Sequence, residues 1–122
     1  MGVTSPETQA FETRRFEEPD RQMTFPHGHA DVVDLGGRRI MRVTFEPGFR
    51  WSMDMPPVAG TARCQVHHLF WVLSGRMGLE LPTGETLEVG QGELVALAPD
   101  HDSWAVGDEP VVFLDMDPKT GS

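Results

Sequence analysis

Three side chains in this sequence, Cys64, His68 and His101, can ligate a transition metal or hydrogen-bond a small molecule. On a strand, residues two apart share a face, so Cys64, Val66, His68, Phe70 and Val72 point the same way and His67 points the other. His101 and Ser103 share a face further along the chain. A cysteine thiolate and two imidazoles are good ligands for zinc, iron or copper, and the expected cofactor is a divalent transition metal, one of these or manganese. Met53 and Met55 could add soft thioethers near the mouth, which favours Cu(I). Around this group, Trp51, Met53, Phe70, Ser103 and Trp104 are the candidate pocket lining for a small organic ligand. Each residue also has a plainer reading. Cys64 can be a small core hydrophobe, the aromatic residues can be core packing, and Asp102 can be a salt-bridge partner.

Other chemistry has less support. His27-x-His29 has metal-like spacing, but it follows Pro26 and precedes the first clear strand, which reads as a solvated edge. Cys64 and His68 could form a nucleophilic pair, yet the sequence identifies no Asn or Asp to orient the imidazole. There is no Gly-x-Ser-x-Gly, no phosphate-cradling glycine loop and no dinucleotide fingerprint.

The elements that position these residues read as short strands. Gly36-Gly37 after Asp31–Leu35 is a hairpin signal. From Arg39 to Glu46, Met41, Val43 and Phe45 alternate with Arg42, Thr44 and Glu46, the pattern of an antiparallel strand with one wet face. Pro47-Gly48 breaks it. In the next segment Trp51, Met53 and Met55 share a face if the chain is extended. Arg63 to Gly75 is apolar on both faces, as in a strand covered by the core on one side and by a second sheet or subunit on the other. Met77, Leu79 and Leu81 then alternate inward. Turns follow at Pro82–Glu85, Gly90–Gly92 and Pro99-Asp100, separating further strands up to Met116. No helix stands out. About eight to ten short antiparallel strands make an all-β barrel or jelly roll, here assigned to residues 23–122, with 1–22 as an N-terminal tail or arm laid across the barrel or a partner subunit. The first ten residues are expected to be disordered.

The chain's 122 residues suffice for one domain, and its 39% apolar content suffices for a core. The net charge of −9 and the scattered basic residues argue against nucleic acid and against an anionic membrane. A single cysteine excludes an internal disulfide, and no apolar run reaches the ~20 residues of a bilayer span. With no leader pattern at the N-terminus, the expectation is a cytoplasmic protein.

Trp71-Val72-Leu73-Ser74-Gly75, Leu87-Glu88-Val89-Gly90-Gln91-Gly92-Glu93 and Ala98-Pro99-Asp100-His101-Asp102 together resemble the cupin superfamily, specifically its small single-domain type. The resemblance covers residues 38–116 and implies a cupin-type jelly roll. It implies a metal site at four positions, which here hold Ala62, Cys64, His68 and Ser103 in place of the family's His-x-His, Glu and His. The usual ligand types are therefore absent at their own positions, and His68, His101 and Cys64 are the available substitutes.

Two functions are expected from these readings. One is a barrel binding a metal ion, a small organic ligand or both around His68; if it is an enzyme, the resemblance implies a metal-dependent oxygenase, isomerase or lyase. The other is a metal-free sensor or carrier in which His68, His101 and Ser103 hydrogen-bond the ligand. The two-sided apolar strand suggests a homodimer under either.

Overall fold

The computed structural model describes residues 10–120, so the expected disorder of the first ten residues falls almost wholly outside it. Ten strands run through the described residues: β1 (Arg21–Phe25), β2 (Gly28–Leu35), β3 (Arg38–Phe45), β4 (Val66–Ser74), β5 (Arg76–Glu80), β6 (Thr86–Gly90), β7 (Leu94–Leu97), β8 (Asp102–Ala105), β9 (Val111–Met116) and β10 (Lys119–Thr120). They form a seven-stranded sheet, ordered β1-β2-β3-β9-β4-β10 with β7 also on β4, and a three-stranded sheet, β6-β5-β8. Neighbouring strands pair antiparallel throughout. The all-β jelly-roll expectation holds.

Period-two patterning explains the core. Val43 and Phe45 of β3, Phe70 and Val72 of β4, and Val111 and Phe113 of β9 face inward in register. Met77 and Leu79 of β5 close over them from the second sheet. The β2–β3 hairpin turns at Gly36 and Gly37, whose φ values of 59° and 77° are those of a type I′ turn, which favours glycine at both positions. At Gly78 the reason for glycine is space: a Cβ there would lie 2.1 Å from the Trp104 ring.

β1 and the first residues of β2 were not legible as strands. Arg21–Phe25 has no apolar alternation because it is an edge strand, exposed along nearly its whole length. Its turn to β2 passes through His27 at φ 61°. Residues preceding β1 lie against β2 and β3 of their own chain. Glu12 accepts from the Gly36 amide at 2.7 Å, Glu17 pairs with Arg42 at 3.0 Å, and the Arg42 guanidinium sits 5.3 Å from the Phe16 ring.

The segment after Pro47-Gly48 corrects the expectation of no helix. Two single-turn helices, α1 (Trp51–Asp54) and α2 (Pro56–Ala59), cross one end of the barrel. Helical periodicity replaces strand periodicity there, so Trp51 and Met55, four apart, pack against the core while Met53 is 75% exposed.

Candidate metal and ligand site

The inward faces of β4, β8 and β9, together with the residues just before β4 and β8, meet at one end of the barrel. Cys64 precedes β4 and pairs across an isolated bridge with His101, whose carbonyl accepts from the Cys64 amide at 3.0 Å. Asp100 makes this approach possible. It takes the left-handed conformation, φ 68°, which aspartate tolerates better than most residues, and its amide donates to the Cys64 carbonyl at 2.7 Å. His68 lies two residues into β4 with its side chain inward.

The three functional atoms converge. Cys64 Sγ is 3.4 Å from His68 Nε2, and Cys64, His68 and His101 each offer a ligand atom within 4.8 Å of the others. His68 Nδ1–H donates to Asp115 Oδ2 at 2.8 Å, and His101 Nδ1–H donates to the Ala98 carbonyl at 2.6 Å. Both rings are thereby fixed with Nε2 as the nitrogen free to act. His101, Cys64 and Asp115 are buried, at 2%, 4% and 1% exposed, and the His68 side chain is 17% exposed.

Electrostatics favours an ion pair here. Burial pushes the Cys64 thiol up, but the His101 and His68 imidazoles beside it pull it down further, to about 6. Burial pushes His68 down, while the Asp115 carboxylate and the Cys64 sulfur raise it to about 9. Cys64 is thus a thiolate facing an imidazolium near neutral pH.

Asp115 is the residue that sequence reasoning missed. It is the third inward position of β9 after Val111 and Phe113, and a carboxylate in that apolar series was the available signal. It supplies the orienting group that the linear sequence did not reveal for His68. Its other oxygen, Oδ1, is the sole buried side-chain polar atom among the described residues with no hydrogen-bond partner.

These groups stand at the wall of a cavity of about 140 Å³, whose remaining lining is mostly apolar and includes Phe45, Phe49, Phe113, Met41 and Met55. Of the pocket residues expected from sequence, Trp51, Phe70 and Ser103 line it. Met53 and Trp104 do not, and that expectation is corrected. Met53 points out of α1 into solvent. Trp104 lies on the other side of β8, over Gly78 and 4.4 Å below the Arg50 guanidinium. Asp102, read as a salt-bridge partner, pairs with Arg50 at 3.0 Å and accepts from Ser52 N and Ser52 Oγ at 2.9 and 2.7 Å. It thereby pins α1, and with it Trp51, across the cavity mouth. His27 pairs with Asp54 at 3.1 Å and is half exposed, consistent with a solvated edge.

The donor set fits a metal ion. Zinc–sulfur and zinc–nitrogen bonds of about 2.3 and 2.0–2.1 Å in tetrahedral geometry separate the two donor atoms by about 3.6 Å. The 3.4 Å between Cys64 Sγ and His68 Nε2 is close to this. His101 offers its ligand atom within 4.8 Å of both. Three protein ligands leave a position for solvent or substrate, as in catalytic rather than structural sites.

No protein-family model and no curated protein matches the chain. Solved structures do. The chain is similar to the polyketide cyclase RemF from Streptomyces resistomycificus (TM-score 0.62, 20% identity, covering 88% of this chain and 79% of that one). It is similar to the coconut allergen cocosin (TM-score 0.61, 17% identity, 80% of this chain), of which it spans 30%. It is also similar to a sugar phosphate isomerase from a cupin superfamily of Silicibacter pomeroyi (TM-score 0.57, 16% identity, 81% of this chain and 70% of that one). At these identities the likeness establishes the fold: the chain has a cupin-type jelly roll.

Proposed function

We propose that this protein is a small cupin-type barrel that binds a transition metal ion through Cys64, His68 and His101 and takes a small organic ligand in the adjoining cavity. The observation that carries this reading is the convergence of three metal-capable atoms within 4.8 Å. Their orientation is set by outer partners, Asp115 and the Ala98 carbonyl, as is usual behind histidine ligands. Zinc, iron and copper all accept a sulfur–imidazole set, and the thiolate favours these over manganese. When bound, such an ion supplies Lewis acidity or redox chemistry at its open position. The chain's own residues hold the imidazoles, present the thiolate and exclude bulk water.

The metal-free alternative has its own support. The Cys64–His68 pair satisfies itself at 3.4 Å without an ion, and the apolar cavity would hold a ligand in either case. Metal analysis of protein purified without a polyhistidine tag separates the two. The metal reading expects about one equivalent of a transition metal, or uptake of one on reconstitution. Under about a tenth of an equivalent, with no uptake, overturns it in favour of the metal-free carrier.

A further inference from the structure

We infer that the cavity is built for a compound of one aromatic ring carrying a hydroxyl or amino donor, of the phenol or aniline class, with Asp115 Oδ1 as the acceptor. This rests on the reading of the barrel as a small-ligand binder and names what it selects.

Size sets the first limit. The cavity measures about 140 Å³. An apolar protein cavity of roughly 150 Å³ accepts a benzene-sized guest. One benzene-sized ring is therefore what fits wholly within the walls.

The walls set the second limit. Phe25, Phe45, Phe49, Phe70 and Phe113 all line the cavity. They already pack ring against ring, with edge-on pairs such as Phe45–Phe113 at 5.1 Å and Phe25–Phe49 at 5.7 Å. Such a lining offers ring edges and faces to another flat ring. It gives few partners to a molecule polar all round, which would lose its hydration without replacement.

Polarity sets the third limit. The polar lining is concentrated in Cys64, His68, His101, Ser103 and Asp115. Within that group Asp115 holds His68 with one oxygen and leaves the other buried and unpartnered. A buried carboxylate oxygen without a partner is costly, and an O–H or N–H from the ligand removes that cost. A methyl group at the same place would not.

The test is calorimetric titration of phenol, aniline and toluene into the full-length protein, once after dialysis against chelator and once after zinc loading. Phenol and aniline are expected to bind about tenfold or more tightly than toluene, because only they donate to Asp115. In Asp115→Asn, the amide oxygen still accepts from His68 while its N–H₂ faces the ligand. Aniline, whose nitrogen donates but scarcely accepts, should then fall about tenfold, to the level of toluene, whereas the phenol oxygen can still accept from the amide. Toluene should bind the variant as it binds the wild type, which confirms that the cavity is intact. Equal affinity of phenol and toluene for the wild type overturns the inference whether or not the variant folds. So does an aniline advantage that survives Asp115→Asn. Zinc uptake without ring selectivity removes this inference and leaves the metal reading standing. Ring selectivity in protein that takes up no metal does the reverse.

Discussion

Removing His68 should convert Cys64 from a thiolate into a thiol. In the wild type, burial disfavours the thiolate, but the two imidazoles more than offset it and bring the pKa to about 6. At pH 7.4 that value leaves roughly 96% of the sulfur ionised; at the ordinary thiol value of 9.0 the fraction would be about 2–3%. His68→Ala removes one imidazole together with the charge Asp115 sustains on it, leaving His101 alone against unchanged burial. The midpoint should rise above about 7.5 and the ionised fraction at pH 7.4 should fall below roughly half. Thiolate absorbance near 240 nm, followed by pH titration of chelator-treated protein, reads this directly. The same ion pair shapes stability. His68 has a raised pKa, so its contribution is full below 6.5 and is lost as pH rises through about 9. Cys64 has a lowered pKa, so its contribution is full above 9.0 and is lost as pH falls through about 6. Denaturant midpoints of metal-free protein should therefore be highest between about pH 6 and pH 9. Metal uptake at pH 7.4 should release about one proton, from His68 rather than from Cys64, measurable by calorimetry in buffers of different ionisation enthalpy. A wild-type thiol midpoint at or above about 8.5, or a midpoint unmoved by His68→Ala, would refute the ion-pair reasoning.

Three further outcomes test other parts of the structure. Gly78→Ala places a methyl 2.1 Å from the Trp104 ring and should cost about 1–3 kcal/mol in urea denaturation, with Trp104 fluorescence altered in the native state. Asp102→Ala leaves Ser52 and Arg50 without their shared acceptor; a loss of about 2–4 kcal/mol, with faster proteolysis in the 51–59 segment, is expected. On the outer face of the large sheet, Trp71 pairs with Leu94 and Leu114, and Leu69 with Ala96; Leu69, Trp71 and Leu94 are 46%, 45% and 65% exposed. We propose that this uncharged stripe packs against its own copy about a two-fold axis, so micromolar sedimentation should show a dimer that Trp71→Glu dissociates; a wild-type monomer would exclude it.

What could be read before the structure follows from which patterns are local. Met41–Val43–Phe45 and Met77–Leu79 announced their strands because period two is visible along a few residues, and the glycine turns announced the hairpins. The inward parity of Cys64 and His68 was legible for the same reason. Their approach to 3.4 Å was not, because regular pairing begins only at Val66 and parity says nothing of how the preceding chain bends. Asp115 was hidden because its role depends on β9 lying beside β4, a pairing between segments 47 residues apart at the His68–Asp115 bond. Met53 and Met55, expected on one face, separate because a single helical turn replaces an extended segment, and a four-residue helix carries too little periodicity to show it.

The distances along the chain at this site also bear on how it is acquired. Cys64 and His68 are near neighbours in sequence, but His101 and Asp115 arrive from the far end of the domain. Bringing them together closes long loops, whose entropy must be offset by barrel contacts formed at the same time. An unfolded chain thus offers a metal only a local Cys–His pair, and the folded barrel offers the complete set. Under the proposed metal-binding function, metal in solution acts as a selective ligand of the native state, raising the melting temperature with concentration and withdrawing the chain from the pool open to proteolysis.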